Sequence, residues 1–244
     1  MQKVFERPKG LTENEFSYCA GCTHGTIHRM IAEVLEELEV LPNTVGVCPV
    51  GCAVFMYDYM SCDMIEAAHG RAPAVATGLK RVLPDRFVFV YQGDGDLASI
   101  GTAEIIHAAG RGEKLSVVFI NNTTYGMTGG QMAPTTLIGQ RATTCPMGRN
   151  PQVNGYPMKM SEMLATLDGP SYIERVAPTS PAGLMKTKKA IKKAFANQVD
   201  GKNFSFVEVL SACPTHWGKS PIDSLKWIDE CMTEVYPLGV FLDR

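Results

Sequence analysis

Apolar residues fall along this chain in two alternating patterns. One is a helical repeat: in "THGTIHRMIAEVLEELEV", from Thr23, the residues Ile27, Met30, Ile31, Val34, Leu35 and Leu38 recur at i, i+3 and i+4. That spacing predicts a helix with an apolar face, and Thr23 stands where a cap is needed. The other is a run without alternation: "RFVFVY" before Gln92 and "LSVVFIN" over Leu115–Asn121. Such runs suit strands buried on both faces. Between them, "GRAPAVATGLKRVL" from Gly70 and "LASIGTAEIIHAAGR" from Leu97 predict helices, with Pro73 tolerated in the first turn of the former. Asn43–Val47, Ser171–Val176 and Phe204–Leu210 predict further strands, and Pro181–Asn197 a further helix. Strands separated by helices imply an α/β fold: a doubly wound, mostly parallel sheet with helices on both faces. The Gly-, Pro- and Met-rich stretch from Gly126 to Pro157 is long for a connection, which implies a functional or interface role.

The 244 residues are 45% hydrophobic, enough for a substantial core. We expect one domain over 1–244. The 23 basic and 25 acidic side chains leave a net charge of -2, which offers no electrostatic footprint for nucleic acid. The one basic cluster, "KTKKAIKKAF" from Lys186, reads as a solvated helix face. No apolar run approaches the roughly 18 residues of a membrane span. "MQKVFERPKGL" lacks the apolar stretch of a signal peptide, so a soluble, cytoplasmic protein is expected. In that compartment the eight cysteines are not expected to form structural disulfides; burial, metal or reactivity must explain them.

In a doubly wound fold, ligands sit beyond the carboxyl ends of the strands. "YQGDGDLASI", from Tyr91, places Asp94 and Asp96 there, among glycines. An ordinary strand-to-helix turn with Asp96 as its cap would look like this. However, Asn121 and Asn122 end the next apolar run, and Asp94 and Asn122 are 28 positions apart, about one strand–helix–strand unit. A carboxylate and an amide oxygen emerging side by side are hard ligands that suit Mg²⁺. Gly93 and Gly95 leave room for backbone amides to approach a diphosphate.

"GDGD…NN" at this spacing resembles the thiamine diphosphate signature. Together with "YGMTGGQMAPTT" from Tyr125 and "HGRAPAVATGLK" from His69, the chain is similar over nearly its whole length to the β subunit of 2-oxoacid:ferredoxin oxidoreductases. That resemblance implies Mg²⁺ held by Asp94, Asn122 and the Thr124 carbonyl. It also implies a diphosphate lined by Gly95, Asp96, Gly126 and Met127.

The cysteines supply a second centre. Cys19 and Cys22 form C-x-x-C before the first helix; Cys48 and Cys52 lie in "VCPVGC", and Cys213 precedes Pro214. Four thiolates suit zinc or an iron–sulfur cluster, and spacing alone does not choose between Cys48 and Cys52. The family pattern aligns "PVGC" with a cluster ligand. The resemblance therefore implies one [4Fe–4S] cluster on Cys19, Cys22, Cys52 and Cys213, with Val50, Gly51 and Ala53 against the diphosphate. Cys48, Cys62, Cys145 and Cys231 are then inert thiols. Family members often have glycine after the second cysteine; here Thr23 stands there, and a threonine cap can replace it.

His24 and His28 are four apart but lack the adjacent glutamate of a zincin. His24, at a helix start, is a candidate for diphosphate or cluster contact, or for a cap. His28 and His107 read as core or surface residues. His69 is a weak catalytic candidate, because the resemblance sets its segment near the cofactor. His216 reads as packing near the cluster.

The implied activity is oxidative decarboxylation of a 2-oxoacid to acyl-CoA and CO₂. Coenzyme A takes the acyl group, and electrons pass through the cluster to ferredoxin. The implied partners are an α subunit supplying the aminopyrimidine-binding domain, with γ and ferredoxin-like δ subunits. The chain's length resembles the 2-oxoglutarate and 2-ketoisovalerate types. A non-oxidative thiamine enzyme would leave the four cysteines idle. A plain iron–sulfur electron carrier would leave Asp94 and Asn122 idle.

Overall fold

The computed structural model describes residues 6–244. Its centre is a seven-stranded sheet built from β1 (Thr44–Cys48), β2 (Asp63–Glu66), β3 (Phe87–Gly93), β4 (Ser116–Asn121), β7 (Tyr172–Val176), β8 (Ser205–Leu210) and β9 (Gly239–Asp243). Their spatial order is β2-β1-β3-β4-β8-β7-β9. All neighbours are parallel except β7 and β9. A separate hairpin joins β5 (Thr124–Tyr125) to β6 (Gln131–Met132).

The unalternating runs end up where buried strands belong. Every residue of β1, β4 and β8 is buried, as is β3 up to Gln92. Their side chains point alternately into two cores. Phe87, Phe89 and Tyr91 of β3 join Ile27, Ile31 and Leu35 of the helix His24–Glu37, and Ile191 and Phe195 of the helix Pro181–Val199. Val88 and Val90 instead meet Ala72 and Ala76 of the helix Ala72–Val82, Ile105 and Ala108 of the helix Thr102–Gly110, and Leu164. Helices therefore cover both faces, the doubly wound arrangement that the pattern predicts. Each large apolar side chain buried this way contributes roughly 1.5–3 kcal/mol.

Three local expectations are corrected. Thr23 occupies the N-cap position but does not cap the helix. Its hydroxyl pairs with Ser211 Oγ at 2.6 Å and accepts the Ala212 amide at 3.2 Å. The predicted helix from Leu97 begins instead as a π-turn, Asp96–Ile100, before the regular Thr102–Gly110. The basic helix face is only partly solvated: Lys188 bridges Glu33 and Glu37 at 2.7 Å, and Lys192 also reaches Glu37. No helix among the described residues is long and apolar enough to cross a membrane.

Candidate active site

The strand order decides which side chains meet. β1, β3, β4 and β8 are consecutive and parallel, so the segments leaving their carboxyl ends share one rim of the sheet. Those segments carry Cys52, Asp94, Asn122 and Cys213. The outermost parallel strand, β2, leads to His69. One cleft of ≈ 220 Å³ is lined by His24, Val50–Ala53, His69, Gly93–Asp96, Asn122 and Thr124–Thr128. Every residue expected to touch the diphosphate or Mg²⁺ is on that wall.

Asp94 is buried. Its Oδ1 accepts the Gly95 amide at 2.8 Å and its Oδ2 accepts the Thr135 hydroxyl at 2.5 Å. Burial outweighs these neutral donors and pushes the carboxyl up to about 7. A desolvated carboxylate whose partners are uncharged is what a bound cation would complete. Asn122 Oδ1 accepts the Thr124 amide at 3.3 Å. Between them Thr123 adopts φ 59°, a left-handed backbone unusual for a β-branched residue and held by its surroundings. Thr136 Oγ1 bonds the Thr123 carbonyl at 2.5 Å, Gln140 Nε2 its hydroxyl at 2.8 Å, and Trp217 Nε1 the Asn122 carbonyl at 3.1 Å. The two asparagines thus have separate tasks. Asn122 lines the cleft, whereas Asn121 donates to the buried Glu208 at 2.8 Å.

The glycines discriminate between turn-making and ligand room. A side chain on Gly95 would meet the Tyr125 ring at 2.4 Å, so that glycine serves packing. On Gly51 and Gly93 a Cβ would meet nothing within 4 Å. Both line the cleft, so the space they leave open belongs to a ligand. The site fits a diphosphate with its cation.

The four expected cluster cysteines come from three segments, and Cys52 and Cys213 lie near Asp94. Cys19 and Cys22 close a turn through Cys22 N to Cys19 O at 3.0 Å, with Gly21 at φ 79° packed on Pro221. The Thr23 bonds to Ser211 and Ala212 tie this turn to the Cys213 segment. Cys52 and Cys213 face one another across Gly126, whose Cβ would lie 3.3 Å from one sulfur and 3.7 Å from the other. Burial, then the neighbouring Cys52 and Cys19, pushes the Cys22 thiol up to about 12. Burial, then Cys22, Cys52 and Asp94, does the same to Cys213. Burial also raises Cys52, so without a cation Cys22, Cys52 and Cys213 hold their protons; a bound metal would displace them. Among the described residues no three His, Cys, Asp or Glu side chains converge as ligands of a single ion do. A cubane would spread its thiolates over separate irons. Cys48, the alternative ligand, is buried and bonds the Val54 carbonyl at 3.4 Å. All eight cysteines are free; Cys145 is also buried, and Cys62 and Cys231 are half-buried.

The histidines divide clearly. His24 lines the cleft with Nδ1 on the Tyr91 hydroxyl at 2.6 Å, and burial lowers it to about 4. His28 lies wholly in the core, with Nε2 on the Tyr18 hydroxyl at 2.8 Å. That hydroxyl also reaches the Cys52 carbonyl at 3.2 Å, so an aromatic group connects core and cysteine loop. His107 is exposed. His216 packs under Gly130. The sequence reading missed Thr135, Tyr18 and Tyr91, which carry no motif of their own. Asp96, although on the wall, turns both oxygens inward.

Residues 49–209 match the family described as thiamine pyrophosphate enzyme, C-terminal TPP binding domain. The ketoisovalerate oxidoreductase subunit VorA of Methanothermobacter thermautotrophicus is 50% identical over the entire chain, which spans 51% of that protein. The 2-oxoglutarate synthase subunit KorB of Methanocaldococcus jannaschii is 38% identical over 87% of the chain and 77% of its own length. The chain therefore spans about half the length of the VorA relatives it matches. A solved 2-oxoglutarate:ferredoxin oxidoreductase from Magnetococcus marinus superposes with a TM-score of 0.81 over 99% of the chain and 86% of its own. At 23% identity that likeness bears on the fold.

Proposed function

The chain belongs to the thiamine pyrophosphate enzymes, among the VorA- and KorB-type subunits of 2-oxoacid:ferredoxin oxidoreductases, and from that premise we propose that it is the thiamine diphosphate- and cluster-bearing subunit of such an enzyme. One observation carries the reading. A metal-type carboxylate–amide pair and a glycine-floored cleft share a single rim of the sheet, with Cys52 and Cys213 facing one another beside them.

In this reading Asp94, Asn122 and the Thr124 carbonyl hold Mg²⁺. The backbones of Gly51 and Gly93 receive the diphosphate, with Val50, Ala53, Gly95, Gly126 and Met127 as walls. Cys19, Cys22, Cys52 and Cys213 hold one [4Fe–4S] cluster. When bound, thiamine diphosphate supplies the nucleophile and electron sink for 2-oxoacid decarboxylation, and the cluster a one-electron path toward ferredoxin. The chain's own part is to position. Cys52 shares its peptide with Gly51 and Ala53, so one loop grips both groups. Tyr18 steadies that loop through the Cys52 carbonyl. Tyr91 fixes His24, kept neutral by burial, against the cleft.

The 2-oxoacid is converted to acyl-CoA and CO₂, with coenzyme A as acyl acceptor. The higher identity to a ketoisovalerate subunit favours a branched-chain 2-oxoacid over 2-oxoglutarate. We read residues 1–244 as one domain with a cluster-binding N-terminal segment and a C-terminal extension. The aminopyrimidine ring is received by a partner α subunit, with γ and ferredoxin-like δ subunits completing a cytoplasmic complex. The isolated chain should therefore show no 2-oxoacid- and CoA-dependent viologen reduction, whereas the chain assembled with its partner subunits should. An active preparation of this chain alone would overturn that division of labour.

A further inference from the structure

Asp96 stands on the cleft wall, yet both its oxygens already have partners within the protein. Oδ1 accepts the Gly70 amide at 2.8 Å, Oδ2 takes the Gln92 amide, and His69 Nδ1 closes on the same carboxylate. The turn carrying His69 is fastened from several sides. Gly70, at φ 79°, lies so close to the next segment that a Cβ would stand 2.7 Å from the Gly101 amide. A Cβ on Gly101 would in turn stand 2.8 Å from the Gly70 carbonyl. Arg71 donates to the Ile100 carbonyl at 2.9 Å and to Glu104 at 2.5 Å. The π-turn Asp96–Ile100 widens the backbone at this meeting point, a distortion that recurs at functional sites. On this fastened turn the His69 ring stays 38% exposed and lines the cleft. With Nδ1 packed against Asp96, Nε2 is the ring nitrogen left for the cleft.

We propose that Asp96 is a positioning residue, not a diphosphate ligand, and that the His69 it holds donates through Nε2 to an anionic oxygen of the ligand in this cleft. The inference rests on the thiamine diphosphate reading above. Two bound species carry such an oxygen: the cofactor's diphosphate and the 2-oxoacid carboxylate. The test compares His69→Asn and Asp96→Asn with the unsubstituted protein, each assembled with its partner subunits. Thiamine diphosphate affinity of the apo complex is measured by calorimetry with Mg²⁺, and KM for the 2-oxoacid at saturating cofactor. If the diphosphate is the partner, His69→Asn weakens cofactor binding about tenfold or more, the size of a lost charge-assisted hydrogen bond. If the carboxylate is, cofactor binding holds, KM rises by about tenfold or more, and kcat changes less. Asp96→Asn must move the same quantity in the same direction. His69→Asn leaving both within about twofold, or Asp96→Asn altering only the melting temperature, would overturn the inference. An unsubstituted complex that binds no thiamine diphosphate would overturn the underlying reading, and this inference with it.

Discussion

Asp94→Asn should abolish retention of thiamine diphosphate and leave the chain folded. The carboxylate is the one formal charge in the Asp94–Asn122–Thr124 oxygen set, and it is buried. Replacing even an outer partner of a metal ligand costs about 10–100-fold in affinity, so losing the charged ligand itself should cost at least about a hundredfold. The amide keeps the shape: its oxygen can still accept from Gly95, and its Nδ2 donates to the Thr135 hydroxyl, which turns to accept. Folding stability should change in a diagnostic way with pH. Free aspartate titrates near ~3.9, whereas burial holds folded Asp94 near about 7. Between those values the native state binds more protons than the unfolded chain, so apo stability falls as pH rises through the window. Asparagine has no such proton, so the variant should lose that slope. Calorimetric titration with thiamine diphosphate and Mg²⁺, with urea unfolding at pH 4 to 8, checks both. Undiminished cofactor affinity in the variant would remove Asp94 from the metal site.

Arg175→Leu should unfold the protein more readily than any substitution on the surface. Arg175 and Glu208 are both fully buried and meet at 2.9 Å. Glu162 adds a second carboxylate to the guanidinium at 2.5 Å, and the Pro237 carbonyl accepts from it at 3.1 Å. Phe241 and Tyr236 flank the cation at 4.8 and 5.3 Å. Removing one member strands a charge where no water reaches, a loss of about 3–5 kcal/mol. Arg175→Leu with Glu208→Met removes both charges and should recover much of it, because a buried pair is a weak net stabiliser against apolar packing. The damage should also reach the site. Glu208 holds Asn121, and Tyr236 donates to the Thr135 carbonyl at 2.6 Å, while Thr135 holds Asp94. The single variant should therefore bind cofactor more weakly even where it is folded. Equal stability of single and double variants would contradict the stranded-charge account.

What the sequence could reveal followed from burial. β3, β4 and β8 are submerged on both faces, so their composition alone marked them, and the ends of β3 and β4 located Asp94 and Asn122. β2 escaped notice because it is an edge strand, "DMIE", with no residue fully buried. β9 escaped because it is another edge, half solvated and antiparallel. The long stretch from Gly126 was flagged by length, but the device that orders it is tertiary. Arg149 is buried with no carboxylate partner among the described residues and gives its guanidinium to carbonyls, among them Pro134, Thr136, Gly155 and Tyr156 at 2.8–2.9 Å. The inward turn of Asp96 and the tie from Thr23 to Ser211 are of the same kind. Each depends on which remote segment packs alongside, and no local spacing encodes that.

In the proposed function, thiamine diphosphate and an iron–sulfur cluster share one rim of this sheet. The most direct measurement is the iron, sulfide and thiamine diphosphate content of the assembled complex, purified without oxygen, compared with the same complex carrying Cys213→Ser. The account predicts one thiamine diphosphate per copy of this chain and a loss of roughly four irons and four sulfides in the variant. Zinc, or an unchanged iron content, with thiamine diphosphate still bound, would contradict it.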